Sequence, residues 1–392
     1  MPLPLLNIKV LEFTHAVMGP AGGLILADLG AEVIHVEPVE GDSTRKLKGF
    51  GTGYFPFYNR NKQSLAIDIK SLEGKKIIYD LVKNADIILE NFGPGTMERL
   101  GYGYEKLSEI NPKIIYCSLK GFLSGPYENR HAMDEVVQMM GGLAYMTGPI
   151  GQPLRAGTSV IDINGGMFGV IGILAALFQR ESTGQGQFLK SSLFETTAFL
   201  MGQHMAYSAI TQTKVPPMPA RVSAWSIYKT FETSDNSLVF IGIISEKHWQ
   251  RFCEVFDRND WFENQRLSTN NDRINEREWF LEEVNTEIRK YTKSEIISRC
   301  EKSEIPFAPI SEVEDLFDDI QLNQGNSLLA TTLPDGTKTK LPKIPIEGNN
   351  FKQELRLPPP TVGKDNLAIL TAMGLTTFQI QQLEKEGIIS KL

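Results

Sequence analysis

The chain has 392 residues, of which 41% are hydrophobic and 22% charged, with a formal net charge of −7. This length and composition are typical of a globular protein with two domains, and the acidic balance argues against a nucleic-acid surface. Its three cysteines, Cys117, Cys253 and Cys300, are widely spaced, which argues against disulfides and a structural zinc site. The chain opens without a signal-peptide pattern, so we expect a cytoplasmic protein.

The start of the chain predicts a βαβ unit, which implies a parallel sheet. Ile8–Phe13 reads as a buried strand, Thr14–Gly23 as a loop, Leu24–Leu29 as a helix and Glu32–Val36 as a second strand. Glu37 follows the second strand, where a dinucleotide-binding fold carries an acid, but the loop sequence HAVMGPAGG lacks the G-x-G-x-x-G spacing. The missing glycine spacing therefore weakens the interpretation of the chain as a nicotinamide-dependent oxidoreductase, although that interpretation stays open.

Strands and helices alternate beyond a segment, 41–60, that is expected to be loop. The predicted elements are strand Ser64–Ile69, helix Glu73–Lys83, strand Asp86–Glu90, short helix Met97–Leu100 and strand Lys113–Leu119. Three cations, Lys70, Arg99 and Lys120, come after these strands. Because open parallel sheets bind ligands beyond the carboxyl ends of their strands, together they could form a cationic rim for phosphates. Taken singly, each is more typical of a solvated side chain.

The most distinctive segment is Arg155–Gln187, whose centre, Met167–Phe178, is almost unbroken in apolar residues. This apolar run is about a dozen residues, against the roughly 20 that a membrane span requires, so it predicts a helix buried on all sides and no membrane association. Asp162 precedes the run, where a helix dipole and free N–H groups favour an anion. On spacing alone, an aspartate at this place is more often a cap than a catalyst. Helices are also predicted at Ala132–Leu143 and Leu189–His204.

The second half of the chain predicts a smaller domain and a return to the first. The proline-rich stretch Lys214–Pro219 indicates a linker. The predicted organisation is a large domain at 1–210, a linker at 211–224, a small α+β domain at 225–315 and a returning segment at 316–392. The predicted elements beyond the linker are strands Ser226–Phe231 and Leu238–Ile243, then helices Lys247–Phe256, Leu316–Ala330, Asn366–Gly374 and Thr377–Gly387.

Several segments together, in a fixed order along the chain, resemble the class III CoA-transferases. The matching stretches are THAVMGP, LADLGAEVIHVEP with GDSTR, NKQSLAIDIK, ENFGPGTMERLG, INPKIIYCSLKGF, VIDINGGMFGVIGILAALFQRESTGQGQ and RLPPPTVGKDN. A dense set of this kind is a stronger signal than any one motif. The resemblance implies an α/β fold in which a Rossmann-like parallel-sheet large domain is joined by a smaller α+β domain. It also implies a homodimer whose two chains interlock.

The resemblance further implies the chemistry of the site. Asp162 occupies the place of the family's nucleophile, which would take CoA from an acyl-CoA and pass it to a carboxylic acid through an aspartyl-CoA intermediate. The positions that resemble the family's CoA contacts are His15, Val17, Met18, Ile67, Lys70, Asn91, Phe92, Gly93, Arg99, Lys120 and His131. Gly165 and Gly166 could supply N–H donors to the acyl oxygen, or admit such donors from elsewhere. Coenzyme A is then a substrate, the acceptor is expected to be a small dicarboxylate, and no permanently bound cofactor or metal is expected.

Two other interpretations stay open beside the transferase. An α-methylacyl-CoA racemase of the same fold would need a base at Met133, which cannot move a proton, and His131 lies two residues earlier. A non-catalytic CoA-binding protein would bind CoA and leave Asp162 unmodified.

Overall fold

The computed structural model describes residues 2–221 and 223–391. Its central feature is a six-stranded sheet in which every neighbouring pair is parallel, in the order β3-β2-β1-β4-β5-β6. The strands are β1 (Lys9–Phe13), β2 (Glu32–Glu37), β3 (Lys62–Ala66), β4 (Ile87–Glu90), β5 (Ile115–Lys120) and β6 (Gln187–Ser192). The parallel sheet expected from the opening βαβ unit is thereby confirmed. In such a sheet the carboxyl ends of all strands lie along one edge.

Helices cover both faces of this sheet. Those of the first part of the chain are α1 (Met18–Asp28), α2 (Tyr54–Tyr58), α3 (Leu72–Val82), α4 (Thr96–Leu100), α5 (Tyr104–Ile110), α6 (Asp134–Met140), α7 (Leu143–Thr147), α8 (Val160–Thr183), α9 (Leu193–Leu200) and α10 (Gly202–Thr211). Alternate side chains of β1 enter different cores, with Leu11 and Phe13 on one face and Val10 on the other. Because a strand alternates its side chains, both faces need apolar partners, and helices supply them.

A second compact unit spans Arg221–Leu322, and the remaining segments, Met1–Ala220 and Asn323–Leu392, form the first unit. The sequence put the corresponding boundaries at 225 and 315. The second unit contains β7 (Tyr228–Glu232), β8 (Leu238–Gly242) and β9 (Phe307–Pro309) in one antiparallel sheet. Its helices are α11 (Glu246–Val255), α12 (Asn259–Phe262), α13 (Asn270–Asn275), α14 (Arg277–Ile288) and α15 (Lys293–Lys302).

The end of the chain returns to the large sheet. After α16 (Ile320–Gln324), a hairpin of β10 (Leu328–Thr332) and β11 (Lys338–Pro342) precedes α17 (Asn366–Ala372) and α18 (Thr377–Lys385). Asn366 fixes this return, because its Oδ1 accepts a hydrogen bond from the Ala66 N–H in β3 at 2.9 Å. Leu370 and Ile380 pack in the same core as Leu11. The first unit is therefore built from both ends of the chain.

Several predicted elements are wrong in extent or type. The expected loop Thr14–Gly23 contains the first half of α1. The helix tolerates Pro20 because this residue falls in the first turn, where an N–H has no helical partner to lose. The expected loop at 41–60 contains α2. The expected helix Leu189–His204 is the end of strand β6 followed by α9 and the start of α10, and the expected helix Leu316–Ala330 is α16 followed by β10.

The central helix also differs from its prediction. Helix α8 starts at Val160 and runs for 24 residues, so Asp162 lies within its first turn and the helix is long and apolar enough to cross a membrane by length and composition. The length argument from the sequence is therefore wrong. One face of the helix packs against α1, β5, β6 and α9. The opposite face is not buried. Met167, Ile171, Leu174 and Phe178 are 38–83% exposed, and their spacing places them on one stripe.

A buried network of charges joins β1, β2 and β3 beneath the start of α1. His35 lies fully buried, with Nδ1 3.2 Å from Glu12 Oε2 and Nε2 3.4 Å from Asp42 Oδ2. The Lys62 ammonium donates to Glu12 Oε1 at 2.9 Å and to Asn59 Oδ1 at 3.1 Å. Asn59 directly follows α2, so the network holds that helix and the segment before it against the sheet.

The network predicts a pH dependence of stability above neutral pH. Burial lowers the pKa of His35, but hydrogen bonds to Asp42 and Glu12 outweigh it and raise the pKa to about 9. A histidine with a raised folded-state pKa contributes stability that is complete below its unfolded value of about 6.5 and is lost as pH rises through the folded value. We expect the destabilisation by His35→Gln to shrink by up to about 3 kcal/mol between neutral pH and pH values above 9.

Urea unfolding at a series of pH values, followed by circular dichroism, measures this difference. His204→Gln, in α10 and outside the network, serves as the control and should show no such trend. A wild-type advantage over His35→Gln that stays constant up to alkaline pH would contradict a protonated His35.

Candidate active site

Two adjoining cavities lie in the first unit at the carboxyl ends of the parallel strands. The first, of about 520 Å³, is bounded by the end of β1, the loop after β4, the end of β5, and the starts of α6 and α8. It brings together nine of the sequence-predicted residues, namely His15, Val17, Met18, Asn91, Phe92, Gly93, Lys120, His131 and Asp162. The second, of about 540 Å³, contains Ile67 and Lys70 and shares Phe92 and Gly93 with the first. Both volumes fall in the range of small-molecule sites.

Two hydrogen bonds join the loop after β1 to the loop after β4 on the cavity wall. The side-chain amide of Asn91 accepts a hydrogen bond from the His15 N–H at 3.0 Å and donates one to the His15 carbonyl at 2.8 Å. The ring of His15 lies 5.8 Å from that of Phe92. This exchange fixes the two loops relative to each other, so His15 and Phe92 are presented to the cavity from rigid strand ends.

The ammonium of Lys120, at the end of β5, already donates two hydrogen bonds within the protein. Its ammonium donates to Glu90 Oε2 at 2.8 Å and to the Phe92 carbonyl at 2.5 Å. Burial raises the pKa of Glu90, against the opposing effect of Lys120. In this arrangement Lys120 supports the Phe92 loop as well as lining the cavity.

Asp162 enters the first cavity from the first turn of α8, and the N–H groups around it are held by Asp134. The Asp134 Oδ2 atom accepts hydrogen bonds from the N–H of Ile161 at 2.8 Å and from that of Asp162 at 3.1 Å. These donors belong to the helix start, which has no intrahelical partners for them. Asp134 is buried at the start of α6, so a side chain of α6 caps α8.

The electrostatic setting of Asp162 disfavours its charged form. Burial and the negative charge of Asp134 raise the pKa of Asp162 to about 7, and the positive charge of Arg155 opposes them. A carboxylate of this pKa is more basic than an ordinary aspartate. Perturbed acids in clefts are candidates for chemical roles.

Gly165 and Gly166 lie inside α8, where the helix meets the start of α1. Both lie beyond the first turn of α8, so their N–H groups belong to the helix ladder and are not free donors. A Cβ at Gly166 would lie 2.6 Å from the Met18 carbonyl oxygen, and one at Gly165 would lie 2.6 Å from Met18 Cε. These two glycines allow α8 to pack closely against the start of α1.

Two further residues singled out in the sequence, Arg99 and Glu37, do not offer a free polar group to either cavity. Arg99 is exposed, donates to Thr96 Oγ1 at 2.9 Å and is not among the described residues that line either cavity. Glu37, the acid of the dinucleotide interpretation, is already bound by Arg45 at 2.7 and 2.8 Å and by the Ser64 hydroxyl. Its carboxylate is therefore occupied by protein donors, which weighs against a ribose contact there.

The prediction from sequence missed two charged residues of the first cavity, Asp134 and Arg155. Asp134 stood beside Met133 in the stretch compared with the racemases, and Arg155 stood first in the distinctive segment, but neither was assigned a role in the site. Their importance depends on contacts with residues distant in sequence, as the Asp134 bonds to α8 illustrate.

Fold and site together define an α/β protein with a ligand cleft at the carboxyl strand ends and a carboxylate of raised pKa inside it. The model of CoA-transferase family III matches residues 5–366. Succinyl-CoA:glutarate CoA-transferase from Homo sapiens is 31% identical over 374 residues, which cover 94% of this chain and 85% of that protein. Formyl-CoA:oxalate CoA-transferase from Escherichia coli O157:H7 (strain EC4115 / EHEC) is 30% identical, over 99% of this chain and 100% of that protein.

The solved structures agree with the sequence relatives. A CAIB/BAIF family protein from Brucella suis aligns with a TM-score of 0.84 and 28% identity, covering 95% of this chain and 100% of that one. The chain belongs to CoA-transferase family III, and the resemblance read from its motifs is confirmed. The protein is a CoA-transferase, an enzyme whose substrates are CoA thioesters.

The raised pKa of Asp162 yields a direct test. We expect the carboxyl carbon of Asp162 to titrate near pH 7 in ¹³C NMR spectra of protein labelled at aspartate, with the resonance assigned by its loss in Asp162→Asn. Asp134→Asn should lower this midpoint, because it removes the neighbouring negative charge and its amide oxygen can still accept from the start of α8. Asp80→Asn, on the outer surface of α3, should leave the midpoint unchanged. A midpoint near the ordinary value of 3.8 in the wild-type protein would refute the arrangement.

Proposed function

We propose that this CoA-transferase moves CoA from an acyl-CoA to a small dicarboxylic acid through a covalent aspartyl-CoA intermediate on Asp162. The observation that carries the proposal is the position of Asp162, a partly buried carboxylate of raised pKa on the wall of the cavity at the carboxyl strand ends. Such a carboxylate is more basic than an ordinary aspartate, and about half of it is ionised, and so able to attack, at neutral pH.

The proposed reaction is a sequence of acyl exchanges. The Asp162 carboxylate attacks the thioester carbon of the donor, and the carbon–sulfur bond breaks. The CoA thiolate departs, and a mixed anhydride of Asp162 and the donor acid remains. The thiolate then attacks the Asp162 carbonyl carbon and expels the donor acid as a free carboxylate. The acceptor carboxylate attacks the resulting aspartyl thioester, and the released thiolate attacks the acceptor carbonyl, which regenerates Asp162. Because one thioester replaces another, the exchange needs no external source of energy.

The walls of the two cavities supply the proposed contacts of the CoA substrate. His15, Phe92 and Gly93 would hold the arm that carries the thioester, and Lys70 in the second cavity would face phosphate groups. The start of α1 also lines the first cavity, and the first N–H groups of a helix have no intrahelical partners. We assign to them the stabilisation of the developing oxyanion that the sequence had given to Gly165 and Gly166.

Small dicarboxylates are the proposed acids because the relatives' names specify them. Succinate and glutarate appear in the name of the human relative, and oxalate in that of the bacterial one. The racemase alternative finds less support, since Met133 lines the cavity where a base would be required and carries no proton to move.

A second copy of the chain is the proposed partner of the exposed stripe on α8. Apolar side chains on α9 and α10, among them Phe199 and Ile210, are exposed as well, and Phe168 of α8 packs against Phe199 with ring centroids 5.2 Å apart. An exposed apolar surface of this extent is typical of an association surface. The homodimer implied by the family resemblance would cover it.

The covalent intermediate is tested by peptide mass spectrometry after mixing with succinyl-, acetyl- or oxalyl-CoA and trapping with hydroxylamine or borohydride. We expect a CoA adduct, or its trapped product, on the peptide that contains Asp162, because the carboxylate is the proposed nucleophile. Asp162→Asn should abolish it and Asp80→Asn should retain it. No adduct from any donor, with CoA binding intact, would contradict the covalent intermediate on Asp162. Exchange of the C2 hydrogen of a branched acyl-CoA would favour the racemase.

The dimer is tested by sedimentation velocity or light scattering at micromolar concentration. We expect a dimer for the wild-type chain and monomers for Ile171→Asp and Phe178→Asp, because a charge on the stripe would be buried at the interface. Phe378→Asp on α18, an exposed apolar residue away from the stripe, is the matched control and should leave the dimer intact. A monomeric wild-type protein, or charged-stripe variants that remain folded dimers by circular dichroism and mass, would contradict this interface.

A further inference from the structure

Arg155 is a cation in the Asp162 cavity whose hydrogen-bonding capacity is largely unused. It lies between α7 and α8, its side chain is 36% exposed, and it lines the cavity together with Asp162. Its Nη2 lies 3.5 Å from Asp134 Oδ1 and its Nη1 lies 3.9 Å from Glu135 Oε2. Its Nε atom is buried and has no hydrogen-bond partner among the described residues. A guanidinium has five N–H donors, so these contacts leave most of them available.

The two neighbouring carboxylates are weak partners for Arg155. Asp134 already accepts three shorter hydrogen bonds, from the N–H groups of Ile161 and Asp162 and from the Gln138 amide at 2.5 Å. Glu135 is 59% exposed and its contact exceeds hydrogen-bond distance, so solvent screens it. Arg155 can therefore turn to a new carboxylate without leaving Asp134 unsatisfied.

The other strong cations that line this cavity are less available. Lys120 is held by Glu90 and by the Phe92 carbonyl. The Arg130 guanidinium lies over the rings of Tyr127 and Phe122, at 4.8 and 5.8 Å from their centroids. Among the described lining residues, Arg155 is thus the strong cation with the longest contacts to protein carboxylates, and it lines the same cavity as Asp162.

We propose that Arg155 binds the second, non-reacting carboxylate of the dicarboxylic substrate and so makes the enzyme selective for dicarboxylates. This inference rests on the proposed function, because it concerns the acid that reacts at Asp162. The planar fork of an arginine matches a carboxylate in a bidentate pair. A dicarboxylate bound with one end at Asp162 brings its second charge into a cavity that already holds three carboxylates, Asp134, Glu135 and Asp162. Arg155 provides the compensating charge.

The discriminating experiment compares two donors of equal chain length, succinyl-CoA and butyryl-CoA, at a pH above the Asp162 pKa. We expect Arg155→Gln to lower kcat/KM for CoA transfer from succinyl-CoA by about 100-fold, because the terminal carboxylate loses its partner. Transfer from butyryl-CoA should change by less than about threefold, since its methyl end makes no ionic contact. Arg155→Lys should fall between these limits, because it retains the charge and loses the fork.

The control is Lys83→Gln, which removes one positive charge from the exposed surface after α3. It should leave kcat/KM unchanged for both donors. Equal losses for both donors in Arg155→Gln would show that Arg155 only supports the site, and no loss for succinyl-CoA would also overturn the proposal. A second readout does not depend on transfer. Calorimetric binding of free succinate to Asp162→Asn should be lost when Arg155→Gln is added, and unchanged succinate binding would overturn the proposal.

The two readouts separate the inference from the function on which it rests. Absence of any CoA adduct in the wild-type chain would reject the proposed function, whereas succinate binding would still decide the role of Arg155.

Discussion

The site depends on the close approach of α1 and α8. Gly166 has no side chain where a Cβ would lie 2.6 Å from the Met18 carbonyl oxygen, and Gly22 faces the same contact from α1. This approach sets the second turn of α8 against the start of α1. The preceding turn, which carries Asp162, therefore lies at the strand edge where parallel sheets bind ligands. A bulkier residue at position 166 would separate the two helices and carry Asp162 away from the loops that bear His15 and Phe92.

The setting of Asp162 is an electrostatic compromise. Asp134 satisfies the start of α8, which stabilises the helix that carries the proposed nucleophile, but its charge also opposes ionisation of Asp162. Arg155 acts in the opposite direction. The result is a carboxylate that is more basic than an ordinary aspartate and yet accessible from the cavity. An apolar surrounding without Arg155 would raise its pKa further, and full solvation would remove the shift.

The sequence predicted those parts of the fold that depend on local pattern. Apolar runs identified β1, β2, β4 and β5, since a strand covered on both faces is continuously apolar. Strand β6 was missed because its sequence, QFLKSS, is mostly polar, and only pairing with β5 defines it. The start of α1 was missed because its glycines and proline are poor helix formers, and packing overrides that preference. An apolar run also cannot reveal that one face of α8 is exposed, since burial depends on the rest of the fold.

For the site, motif order indicated the segments that the structure places around two cavities, from Val17 after β1 to Asp162 on α8. For the glycines after Asp162, the sequence could not show that they pack against the start of α1, because that contact joins segments far apart in the chain. Asp134 and Arg155 could not be found from pattern, since their partners are distant in sequence or, for Arg155 Nε, not within the described part of the chain.

The cap of α8 has a consequence for how the enzyme matures. Because the carboxylate that completes the helix start comes from a residue 27 positions before Ile161, the first turn of α8 cannot be finished by its own neighbourhood in the chain. A chain in which α6 has not packed on α8 would hold Asp162 in water, with the acidity of any surface aspartate. The surroundings that raise the pKa of Asp162 therefore form only when α6 has packed on α8, so the tertiary structure completes this site and the local chain does not.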